Sequence, residues 1–84
     1  MMWITNYENP FTNNTTIKYK TEGGHVLVQV MDTLGRVIST PVDKEQTAGT
    51  YTIDFNAETL PTGVYYARYQ NGVAQHVRAM LKVR

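Results

Sequence analysis

Residues 64–83 read VYYARYQNGVAQHVRAMLKV, two alternating runs joined at Asn71-Gly72. In the first run Tyr65, Ala67 and Tyr69 share one face, leaving Val64, Tyr66 and Arg68 on the other. In the second, Val73, Val77, Ala79, Leu81 and Val83 form one row against Ala74, His76, Arg78, Met80 and Lys82. Period two is the signature of strands. Asn-Gly between two such runs predicts a hairpin with a type I′ turn, because both central residues of that turn need positive φ. The expectation is an antiparallel pair whose last strand sends Ala79, Leu81 and Val83 to the core and Lys82 and Arg84 outward.

The same period recurs upstream. Residues 16–20 (TIKYK) set Ile17 and Tyr19 against Thr16, Lys18 and Lys20. Residues 25–32 (HVLVQVMD) align Val26, Val28 and Val30. Residues 36–42 (RVISTPV) are a weaker run in which Pro41 marks an edge or an end, since proline cannot donate to a ladder. Residues 50–55 (TYTIDF) turn Tyr51, Ile53 and Phe55 inward. Residues 2–6 carry the pattern of a further strand. Gly23-Gly24, Leu34-Gly35, Ala48-Gly49 and Pro61-Thr62-Gly63 punctuate the runs. No stretch has a helical period. The prediction is an all-β, antiparallel β-sandwich of about six or seven strands.

Composition agrees. The 84 residues suit one domain, and six tyrosines with recurrent Val and Thr favour half-buried strands. A net charge of +1 without a Lys/Arg run gives little steering toward nucleic acid or an acidic membrane. The absence of cysteine excludes a disulfide framework and a thiolate zinc site. No apolar stretch approaches the roughly 20 residues of a membrane-spanning helix. Met1-Met2-Trp3-Ile4-Thr5 is too short and uncharged for a signal peptide; the double Met reads as an added start on a domain cut from a longer protein, so the missing signal says nothing about export. Residues 1–5 are expected to be a leading or linker stretch and 6–84 the domain proper.

A search for chemistry finds little. His25 and His76, both at expected outward positions, are the only imidazoles, and no ligand spacing surrounds them. Ser39 lacks a nucleophile elbow. Asp32, Asp43 and Asp54 lie in or beside expected turns, where aspartate commonly bonds local backbone. The glycines form no phosphate loop. Catalytic, cofactor and metal sites are therefore not expected. Trp3 and the tyrosines could form a sugar-stacking platform, but alternation puts Tyr66 opposite Tyr65 and Tyr69, which favours core filling.

Six short motifs stand in order: Asn9-Pro10-Phe11, Thr15-Thr16-Ile17-Lys18-Tyr19, Asp32-Thr33-Leu34-Gly35-Arg36, Ala48-Gly49-Thr50-Tyr51, Leu60-Pro61-Thr62-Gly63-Val64-Tyr65-Tyr66 and Met80-Leu81-Lys82-Val83. Together, over residues 6–84, they resemble the type A C-terminal sorting domain of the type IX secretion system. Glu8 departs from that pattern, standing where the family's opening turn usually begins with Pro.

The resemblance implies an immunoglobulin-like sandwich that follows an N-terminal cargo domain. It implies export through the periplasm to the cell surface or medium. The partners it implies are the outer-membrane translocon and a sortase-like peptidase, with no nucleic acid and no membrane span. Within it, Leu34-Gly35-Arg36 reads as a tight turn with a leucine anchor and an exposed cation. Gly63 reads as a backbone geometry that a Cβ would obstruct. Lys82, Val83 and Arg84 close the chain inside a strand. These seven residues are the candidates for recognition. The competing readings are a carbohydrate-binding or adhesive accessory sandwich and a spacer domain.

Overall fold

The computed structural model describes residues 2–72 and 74–84. Seven strands are found among them: β1 (Trp3–Tyr7), β2 (Asn14–Thr21), β3 (Gly24–Met31), β4 (Val37–Gln46), β5 (Gly49–Asn56), β6 (Gly63–Asn71) and β7 (Ala74–Lys82). They form a three-stranded sheet ordered β1-β2-β5 and a four-stranded sheet ordered β4-β3-β6-β7, with every pairing antiparallel. The sandwich expected from the period-two runs is present, including the strand anticipated at the N-terminal end.

Between the sheets lie the rows read from alternation. Ile17 and Tyr19 come from β2, Val26, Val28 and Val30 from β3, Phe55 from β5, and Tyr65, Ala67 and Tyr69 from β6; all are buried. Tyr51 and Ile53 pack against this core as half-buried neighbours. Three of the six tyrosines are therefore core residues, and a fourth, Tyr51, packs against them. Tyr19 stacks on Tyr51 at 5.6 Å between ring centres and meets Tyr69 at 5.8 Å. The hydroxyl of Tyr69 donates to Thr21 Oγ1 at 2.7 Å, which satisfies it inside the core.

β4 runs to Gln46, four residues past its expected end, with Pro41 inside it. A proline is tolerated there because β4 is the sheet's edge. The register also slips at that point: Val28 pairs with Val42, but Val30 pairs with Ser39. Asp43 accordingly lies in the strand and not beside a turn. Its Oδ1 stands 2.6 Å from His25 Nε2, on the solvent side.

Two expectations about the last hairpin need correction. First, Asn71 pairs with Ala74, so Asn71 belongs to the strand and the connection is not Asn71-Gly72. Asn71 stays on the strand because its Nδ2 donates to Gly23 O at 2.7 Å. Gly72 alone of the expected pair has positive φ, +59°. No neighbour crowds its Cβ position, so only the backbone conformation demands glycine. Gly72→Val is expected to cost more than about 1 kcal/mol, the penalty of a left-handed conformation for an L-residue, read as a lowered denaturation midpoint with an unchanged slope.

Second, the faces of β7 are inverted. Tyr65 pairs with Met80, Ala67 with Arg78 and Tyr69 with His76. Met80 and Lys82 are therefore buried, and Val77, Ala79 and Leu81 face solvent. His76 lies half-buried on the inner row, with its ring 6.2 Å from that of Tyr69, and not at an outward position. The face assigned to Val73 lies outside the described residues.

Candidate functional site

The hairpin between β3 and β4 is built around one carboxylate. Gly35 N donates to Asp32 O at 3.1 Å, and Asp32 N donates to Arg36 O at 3.0 Å. Gly35 has φ +82°, a conformation that suits glycine and closes a three-residue loop with a bulge. Asp32 Oδ1 accepts from the amides of Leu34 (2.9 Å) and Arg36 (3.0 Å), and Oδ2 accepts from Arg36 Nε at 2.7 Å. Partial burial pushes the Asp32 carboxyl up. The bonds from Arg36 and Leu34 outweigh it and hold the group below the usual carboxylate range.

This geometry changes the reading of the corner. Leu34 does not anchor it. The side chain is 78% exposed at the tip, while the bonds to Asp32 do the fixing. Arg36 is an exposed cation, as expected, but it is paired with Asp32.

The entrance to β6 lies beside this corner. The Tyr65 hydroxyl donates to Pro61 O, four residues upstream. This is the tyrosine-corner arrangement of immunoglobulin-like sandwiches, and it fixes the loop leading into the strand. Gly63 follows with φ +148°, a backbone state open to glycine alone. No atom lies within 4 Å of its Cβ position, so the constraint is conformational and not a crowding neighbour. Leu34, Arg36, Leu60, Pro61 and Gly63 line one open groove of about 540 Å³ between the corner and this loop.

Across from Gly63 stands Lys82. The end of β7 is secured from its other edge by a segment whose role is invisible locally. Phe11 N donates to Leu81 O (3.0 Å) and Val83 N donates to Phe11 O (2.8 Å). Asn9 Nδ2 donates to Ala79 O (3.1 Å), and Asn9 Oδ1 accepts from Leu81 N (3.0 Å). The Phe11 side chain is buried in the core. Asn9-Pro10-Phe11 is thus a clamp on the C-terminal strand. Sequence reasoning noted the motif but had no signal for its partner, about 70 residues away.

Pairing places all these features at one end of the four-stranded sheet. Met31 pairs with both Val37 and Tyr66, Tyr66 with Ala79, and Val64 with Leu81. The outer face of that end is apolar across all four strands, with Val37, Val64 and Leu81 substantially exposed; exposed Val77 follows one row further in, opposite Arg68. Beyond it, toward the other end, the same face carries Gln70, Gln75, His25 and Glu45. Apolar patches bordered by polar residues are a common feature of interaction surfaces. The structure therefore gathers Leu34, Gly35, Arg36, Gly63, Lys82, Val83 and Arg84 at one end, but turns Lys82 into the sandwich. The outward places belong to Leu81 and Val77.

Among the described residues, no three His, Asp or Glu side chains gather as a metal site. No helix among them is long and apolar enough to cross a membrane. A comparison with curated proteins finds no match. The family model for the secretion system C-terminal sorting domain matches residues 5–83, nearly the whole chain and all six motifs quoted above. The chain belongs to this family, and it is a C-terminal sorting signal of type IX secretion, the kind of tail that marks a protein for export to the cell surface or the medium.

Proposed function

We propose that the domain is a passive ligand, read by the outer-membrane translocon at the apolar end of its four-stranded sheet, and that it catalyses nothing itself. One observation carries the reading. Residues far apart in sequence, Leu34, Gly63 and the C-terminal strand, meet at one end, and there the sheet exposes apolar side chains. A sortase-like peptidase then separates the tag from the N-terminal cargo. Rigidity suits such a tag, because a preformed surface loses little freedom on binding. The clamp by Asn9 and Phe11 supplies that rigidity where the chain would otherwise fray.

The test is export of a periplasmic reporter carrying residues 3–84, which keep β1 whole. The informative variant is Leu34→Asp with Leu81→Asp. Both side chains face solvent, so the fold is expected to survive. Loss of an apolar contact at the centre of an interface is expected to slow export by about tenfold or more, with folded reporter accumulating in the periplasm. Undiminished export would move the recognition surface elsewhere. Retention of the unaltered fusion, in cells that export their own cargo, would defeat the proposal.

A further inference from the structure

The two sheets have four edges, and three of them are blocked. β7 is covered by Asn9 and Phe11. β1 has only five residues and lies against β7, whose Arg78 Nε donates to Asn6 Oδ1 at 3.1 Å. β4 carries Pro41, a register slip, and the charged run Asp43-Lys44-Glu45. These are the devices by which sheet proteins discourage edge-to-edge pairing.

β5 has none of them. Its eight residues, GTYTIDFN, hold an unbroken register with β2, contain no proline and carry one charge, Asp54. Beside it runs an open groove of about 310 Å³ of mixed character, where Ile53, Phe55 and Leu60 stand among Asp54, Asn56 and Thr59. Tyr51 and Ile53 are only half-buried there.

We propose that this edge pairs with the same edge of a second copy of the chain, joining two three-stranded sheets into one of six strands. The strand is complementary to itself. In an antiparallel pair centred on Ile53, Ile53 faces Ile53 of the second copy and Tyr51 faces its Phe55. On the other face Thr52 meets Asp54, and Thr50 meets Asn56. Aromatic and β-branched pairs fill the inner row, and no like charges oppose one another. A two-fold axis makes each of the off-centre pairs occur twice. The pairing goes beyond sorting and does not depend on it; a monomer that is still exported overturns this proposal alone.

The experiment is sedimentation equilibrium of the 84-residue chain from micromolar to near-millimolar concentration. The expected result is a concentration-dependent monomer–dimer equilibrium. Thr52 is exposed, so charge can be placed there without disturbing the core. Thr52→Asp sets two carboxylate pairs against Asp54 and is expected to weaken the dimer by about tenfold. Thr52→Lys sets two opposite-charge pairs and is expected to strengthen it by a similar factor. Circular dichroism checks that both variants remain folded. A chain monomeric throughout the range overturns the proposal. So does a dimer whose affinity ignores both substitutions or moves in the same direction with each.

Discussion

Met80→Ala is expected to destabilise the domain by about 2–5 kcal/mol, whereas Leu81→Ala costs less than about 1 kcal/mol. Met80 is 1% exposed and lies opposite Tyr65 in the core row, while Leu81 is 42% exposed and touches only the outer face. Truncating Met80 removes its buried atoms and leaves a void that two strands fixed by ladders on both sides cannot close. Truncating Leu81 removes a cross-strand contact with Val64 and opens no cavity. Urea midpoints of the two variants measure the difference directly. Equal losses would mean that the strand faces are not those described here.

The position of Met80 was legible in the sequence, although hydrophobicity alone pointed the other way. Across a two-residue antiparallel hairpin, directly opposed residues share a face. With the connection at 71–72 or at 72–73, the inward odd residues of β6 stand opposite even residues of β7. The turn signal therefore already required Met80 and Lys82 to point inward, against the apolar row of Val77, Ala79 and Leu81. Pattern failed here because the outward row is apolar for another reason: it belongs to an exposed patch.

Elsewhere pattern and burial agree. Ile17 and Tyr19, the valines of β3, and Tyr65, Ala67 and Tyr69 all face as alternation places them, because one face of each strand is covered. What could not be read was non-local. Nothing near Asn9 announces that its amide will hold Ala79 and Leu81. Nothing near Leu34 reveals that Asp32 does the anchoring while the leucine stays in solvent. At the candidate site, the motifs singled out in the sequence come together at one end of the molecule. Alternation misplaced one residue, Lys82, through the same inverted face.

Lys82→Glu is accordingly expected to cost about 2–3 kcal/mol, well beyond a surface substitution. Lys82 is 8% exposed, sits on the inner row after Met80, and pairs with Gly63. Its side chain makes no hydrogen bond or ion pair among the described residues. A long aliphatic stem can cover apolar surface while its ammonium reaches the rim. A glutamate there is shorter and holds its charge nearer the core. Lys82→Met keeps the stem and drops the charge, so it is expected to change stability by less than about 1.5 kcal/mol. Thermal unfolding of the two variants reads the difference, and export of reporter fusions then gives it meaning. If Lys82→Met folds and is exported while Lys82→Glu does neither, the lysine serves packing, and the terminal charge available to a partner is that of exposed Arg84. If Lys82→Met folds fully but stays in the periplasm, the ammonium itself is read at the rim of the sandwich, beside Gly63, and the buried lysine is part of the signal.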